Sequence, residues 1–125
     1  MNWIYVFVGG GAGSLLRYGF STLFSRLVVS TFPYATFCAN IISCLIFSLI
    51  LGLSQKMDGT FMEEKIKMLL ITGFCGGLST FSTFSFENAE LLKRGCYGWM
   101  SLNVLSSLIL CILIFFIFAP AKSQT

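Results

Sequence analysis

Residues 73–87 read Gly73-Phe74-Cys75-Gly76-Gly77-Leu78-Ser79-Thr80-Phe81-Ser82-Thr83-Phe84-Ser85-Phe86-Glu87. The stretch is apolar enough for the middle of a membrane span, yet Gly-Gly followed by Ser and Thr is poor helix-forming material. In lipid, irregular backbone is tolerated only where protein buries it or where it lines a cavity. The pattern therefore predicts two half-helices joined by an unwound link around Gly76 to Thr80. Such a break frees carbonyls and amide donors, and it presents helix-dipole ends at mid-membrane, an arrangement suited to ions. A second reading is packing alone, because Gly73-x-x-x-Gly77 places two small residues one turn apart. The hydroxyls of Ser79, Thr80, Ser82 and Thr83 argue for more than packing.

Composition extends the membrane reading to the whole chain. Of 125 residues, 56% are hydrophobic and only 10% charged, whereas a soluble domain carries about 25% charged residues. Four stretches, about 3–24, 33–53, 66–92 and 97–118, come close to the roughly 20 apolar residues that a spanning helix needs. The expected fold is an all-α membrane protein: a single subunit over residues 1–125 with four transmembrane helices, the third broken near mid-span. The first run has no Lys or Arg before it and is longer than a signal-peptide core, so it reads as a spanning helix. The bilayer is the expected surrounding, and no nucleic-acid partner is expected.

Basic residues barely distinguish the two sides of this layout. Lys56, Lys65, Lys67 and Lys122 fall on the side of the termini, and Arg26, Lys93 and Arg94 on the other. Short-loop Lys and Arg set orientation, so four against three leaves two possibilities open. One residue decides the orientation, or the chain inserts both ways and two copies pair antiparallel.

Polar residues inside the spans mark a candidate path. Phe81 and Phe84 are three residues apart and share a helix face. They alternate with Thr80, Ser82, Thr83 and Ser85, and the edge of a phenyl ring is electropositive. Ring edges and hydroxyls together can replace part of an anion's hydration shell. Arg17 lies well inside the first span, where a charge costs about 2.5–3.5 kcal/mol on insertion scales; it either snorkels to the interface or faces an aqueous vestibule. Asn40, in the second span, can donate two hydrogen bonds. Asn103, Ser106 and Ser107 fall at i, i+3 and i+4 with Cys111 one turn on, a polar stripe that reads as helix glue or as pore wall. Glu87 pairs with a polar group or marks the exit to the interface.

The five cysteines form no C-x-x-C pair and the chain has no histidine, so zinc and redox motifs are set aside and the cysteines read as packing residues. With no nucleophile–base pair or metal cluster, an enzyme is not expected.

These motifs resemble the small bacterial fluoride channels called CrcB or Fluc. Gly73 to Ser85 is close to the family's G-F-C-G-G-[FL]-T-T-F-S-T-F-S, with Ser79 where Thr is usual. Gly9-Gly10 through Gly13 to Arg17-Tyr18 is similar to G-G-x-x-G-A-x-x-R-Y, with Ser14 for Ala. Thr36 and Asn40 match G-T-L-x-V-N-x-x-G more weakly, because Ala35, Ser43 and Ser48 replace glycines and Leu45 replaces a phenylalanine. The resemblance implies an antiparallel, dual-topology homodimer in the bacterial cytoplasmic (inner) membrane, with two pores that carry fluoride passively out of the cell. It implies a structural sodium ion at the dimer interface, held by the backbone carbonyls of Gly76 and Ser79. It maps pore phenylalanines onto Phe81 and Phe84, the pore asparagine onto Asn40, the vestibule arginine onto Arg17 and the polar-track serine onto Ser107. Asn103 stands where the track has a tyrosine and Cys111 at a further polar position, while the acid after the motif maps to Glu87. Two other classes share parts of the pattern: a four-helix dual-topology drug/proton antiporter, which would need a glutamate in the first span where this chain has Arg17, and a non-transporting assembly protein.

Overall fold

The computed structural model describes residues 2–56, 64–119 and 121. Lys122, counted above for orientation, lies outside them, and so does the side chain of Lys56. Among the described residues every regular element is helical. Helix α1 (Asn2–Leu27) is followed by α2 (Tyr34–Lys56). An interrupted rod then runs over Glu64–Lys93: α3 (Glu64–Lys67), a π-helical stretch (Met68–Cys75), α4 (Gly76–Leu78), two extended residues and α5 (Phe81–Lys93). Helix α6 (Tyr97–Phe118) completes the fold.

Three of these rods, Tyr34–Gln55, Glu64–Lys93 and Tyr97–Phe118, are long and apolar enough to cross a membrane. Helix α1 has 26 residues, about 39 Å at 1.5 Å per residue, but its glycines and Arg17 dilute its apolar character. Burial is the inverse of a soluble domain. The interior is rich in small and polar groups, among them Ala39, Ser43, Ser48 and Asn103, beside a few apolar ones such as Leu78, while Phe7, Phe81 and Phe116 stand outside. Lipid, or another protein surface, is the solvent this exterior fits.

The break is shorter than the Gly76–Thr80 link read from the sequence. Gly76 is α-helical (φ −63°, ψ −36°), and only Ser79 (φ −75°, ψ 153°) and Thr80 (φ −152°, ψ 119°) are extended. The glycines serve another purpose. A β-carbon on Gly77 would strike the Gly10 carbonyl; one on Gly9 would strike Leu69, and one on Gly13 would strike Phe74. Two small-xxx-small faces, Gly9/Gly13 and Gly73/Gly77, thus bring the backbones of α1 and the broken rod into contact. The packing reading holds for Gly73 and Gly77, and the break follows directly after them. Across the same contact the rod widens: the Gly76 N–H donates to Ile71 O in the i to i−5 register of a π-helix, a form common at functional sites.

The remaining elements are fixed by aromatic contacts and a glycine stop. Phe32, in the α1–α2 connection, packs on Tyr34, Phe37 and Trp99 at 4.8, 5.4 and 6.0 Å between ring centroids. Phe47 and Phe115 meet edge-on at 5.3 Å and join α2 to α6. Helix α5 ends at Gly95 (φ 73°), with Cys96 N–H donating to Leu91 O and Gly95 N–H to Leu92 O. That Schellman arrangement needs a left-handed residue, which glycine supplies without a β-carbon penalty.

Candidate functional site

Asn40 holds the break open. Its Oδ1 accepts from Thr80 N–H at 2.8 Å and its Nδ2 donates to Thr80 O at 3.4 Å, so one side-chain amide clasps the backbone of one residue at both its N–H and its carbonyl. Thr80 then caps α5: its Oγ1 accepts from Thr83 N–H at 3.2 Å, the usual role of an N-cap threonine. Upstream, the Cys75 carbonyl receives Ser79 N–H, Ser79 Oγ and Ser43 Oγ at 2.8–2.9 Å. These substitutions redirect the helix ladder. The amides that would normally serve the Gly76 and Ser79 carbonyls are Thr80 N–H and Thr83 N–H, and both are taken elsewhere. Two carbonyls are thereby released from the ladder at one point, beside the electropositive start of α5.

A cleft of about 230 Å³ opens against this break, lined by Asn40 and Cys44 of α2, Ser79, Thr80, Phe81 and Phe84 of the rod, and Ser107, Leu108 and Cys111 of α6. The lining carries no charged side chain. The two phenyl rings lie 6.1 Å apart at 34°, and Phe81 is 80% exposed on the open side. Of the residues singled out in the sequence, the structure brings Asn40, Ser79, Thr80, Phe81, Phe84, Ser107 and Cys111 to this one place.

Other candidates lie elsewhere. Thr83 and Arg17 share a second pocket of about 210 Å³ with Thr36 and Ser14. Ser82 is exposed, with its Oγ 3.3 Å from that of Thr80. Gly76 is exposed, and a β-carbon there would meet open space. Glu87 accepts from Thr36 Oγ1 at 2.7 Å, and its other oxygen is buried without a partner among the described residues. Glu87 also borders a third pocket beside Glu90 and Arg94.

Asn103 does not reach the cleft wall. It is 1% exposed and sits behind Ser107, where its Nδ2 donates to Asn88 Oδ1 at 3.1 Å and its Oδ1 accepts from Ser107 Oγ at 3.4 Å. Asn88 does not stand out in the sequence. It follows Glu87 near the polar end of the rod, where an amide reads as a surface residue. The one available signal was register, since Asn88 lies four residues from Phe84 and so shares its face.

Chemically, the cleft gathers hydroxyls, thiols, an amide, two phenyl rings and a helix N-terminus with no carboxylate among them, a lining that suits a small anion. The released carbonyls next to it suit a cation. Among the described residues no cluster of three or more His, Cys, Asp or Glu could hold a metal ion.

Known proteins resemble this chain over most of its length. Residues 4–119 match the family described as "CrcB-like protein, Camphor Resistance (CrcB)". A fluoride-specific ion channel FluC of Azobacteroides pseudotrichonymphae is 42% identical over 102 residues, covering 82% of this chain and 80% of the relative. FluC of Maridesulfovibrio salexigens is 39% identical over 103 residues, with the same 82% and 80% coverage. FluC of Salmonella arizonae is 39% identical over 123 residues, covering 95% of this chain and 94% of the relative.

Proposed function

This chain belongs to the CrcB-like family, and from that premise we propose that the cleft against its broken rod is the route by which it acts as a fluoride channel. It is a multi-pass protein of the bacterial inner membrane and not an enzyme. One observation carries the assignment of the route: a single uncharged cleft gathers Asn40, Thr80, Phe81, Phe84 and Ser107 at the N-terminal end of α5. Fluoride is small and strongly hydrated, so leaving water requires close donors to offset the loss. A conducting path must also bind weakly enough to release the ion.

Each residue then has a defined part. Ring edges of Phe81 and Phe84 face the ion in turn, with hydroxyls between them. Arg17, in its pocket with Thr36 and Thr83, supplies positive potential to the vestibule, and Glu87 lies toward the exit. Phe81→Ile keeps an apolar side chain and removes the ring edge. A contact of this kind contributes about 1 kcal/mol, and losing it should lower fluoride flux about fivefold while the protein still assembles. Unchanged flux would remove Phe81 from the path.

The assembly is an antiparallel homodimer in which α1 also spans, with two pores and passive export. The near-even charge count and the open face at Phe81 and Gly76 support it. A structural sodium ion would be held by the carbonyls of Gly76 and Ser79, which have lost their usual amide donors, and when bound it would offset their partial negative charge. Replacing sodium by N-methylglucamine should therefore lower the thermal midpoint of the dimer, and a C-terminal tag should label from both faces of the membrane. An unchanged midpoint contradicts the ion site, and one-sided labelling contradicts the antiparallel pairing.

A further inference from the structure

Behind the cleft runs a chain of hydrogen bonds whose direction is fixed at one end. The Phe84 carbonyl can only accept, so Asn88 must turn Nδ2 toward it, at 2.8 Å. Asn88 Oδ1 is then left facing Asn103 and can only accept. Asn103 must in turn present Nδ2, at 3.1 Å, which leaves its own Oδ1 facing Ser107. The last link follows: Ser107 donates its hydroxyl proton to Asn103 Oδ1 at 3.4 Å. Amide orientation in such a network is decided by its least ambiguous partner, which here is a backbone carbonyl.

Ser107 also lines the cleft, and its proton is committed inward. What it turns toward the cleft is oxygen lone pairs, which repel an anion. We infer that Asn88 is a positioning residue that sets the cleft's fluoride affinity by holding Asn103 in the orientation that draws the Ser107 proton away from the ion. The terminal link is the longest of the chain, so it is the one an arriving anion can break. The arrangement lets Ser107 receive fluoride only by giving up its bond to Asn103, which weakens binding and favours release. Asn88 and Asn103 are both buried, and neither touches the ion in this account.

The inference rests on the cleft being the fluoride route, and its test separates the two. Fluoride efflux from proteoliposomes is measured against fluoride concentration for the parent, Asn88→Leu, Ser107→Ala and the double variant. Without Asn88 the Asn103 amide can turn, so that Nδ2 faces Ser107 Oγ and the serine proton becomes available to the cleft. One neutral hydrogen bond gained by the ion should lower the half-saturating fluoride concentration about fivefold. In the Ser107→Ala background Asn88→Leu should change it little, because the group through which Asn88 acts is gone. Asn88→Ser, too short to reach Asn103, provides the same test should the leucine variant fail to fold. Equal shifts in both backgrounds, or a rise in the half-saturating concentration, would overturn the inference. A parent that passes no fluoride would overturn the route itself, and this inference with it.

Discussion

Asn40→Asp is expected to abolish fluoride passage, by about a hundredfold or more, without loss of the fold. The carboxylate keeps an oxygen where Asn40 Oδ1 accepts from Thr80 N–H at 2.8 Å, so the stronger half of the clasp survives. The second carboxylate oxygen replaces Nδ2 opposite the Thr80 carbonyl and gives up the weaker half, and the ion's surroundings change. The Nδ2 donor is lost, and a negative charge enters a cleft with no cationic side chain in its lining. Like charges brought together cost several kcal/mol, and about 3 kcal/mol is already about a hundredfold in an equilibrium constant. Electrode-monitored efflux alongside a thermal unfolding curve checks both halves of the expectation. Near-parental flux in a protein of unchanged stability would place the path away from Asn40.

Gly13→Val is expected to prevent accumulation of folded protein. A β-carbon at that position would meet the backbone of Phe74 and lie 2.8 Å from Leu78 N, and backbone cannot rotate aside as a side-chain end can. The helices must separate, which costs about 3 kcal/mol or more where overpacking is severe. Association of helices in lipid depends on close packing rather than on the hydrophobic effect, so little else would compensate. Gly11→Ala is the matched control, because nothing lies within 4 Å of a β-carbon there. Fluorescence-detected size exclusion should lose the folded peak of the first variant and keep that of the second. A normal peak for Gly13→Val would contradict the α1–rod contact described here.

The motif at 73–87 made the interruption of the third rod legible, because Gly-Gly and a run of hydroxyls are poor helix formers. Its cause was less legible. Gly73 and Gly77 remain helical and are needed for contact with α1, whereas the chain unwinds at Ser79 and Thr80, where Asn40 competes for the amide. That competitor lies 40 residues away in sequence, and local propensity carries no trace of it. The π-helical register of Met68–Cys75 likewise coincides with a neighbour, since it lies where the backbone of α1 meets the rod.

The site was legible in its residue types more than in its placements. Asn40, Phe81, Phe84 and Ser107 could be named from polar residues in apolar spans and from the family pattern, and they do share a cleft. Thr83 went instead to the pocket of Arg17, because one step along a helix turns a side chain by about 100°. The stripe of Asn103, Ser106 and Ser107 reads as helix glue or as pore wall, and the structure separates its members. Asn103 joins α6 to α5 through Asn88, while Ser107 faces the cleft. Helical spacing alone could not divide them.

The most direct test is anion efflux from liposomes containing the purified protein, followed by a fluoride electrode and a chloride electrode side by side. Fast fluoride release with little chloride release is the predicted result. Release of neither anion from correctly assembled protein, or equal release of both, would contradict a fluoride-selective path.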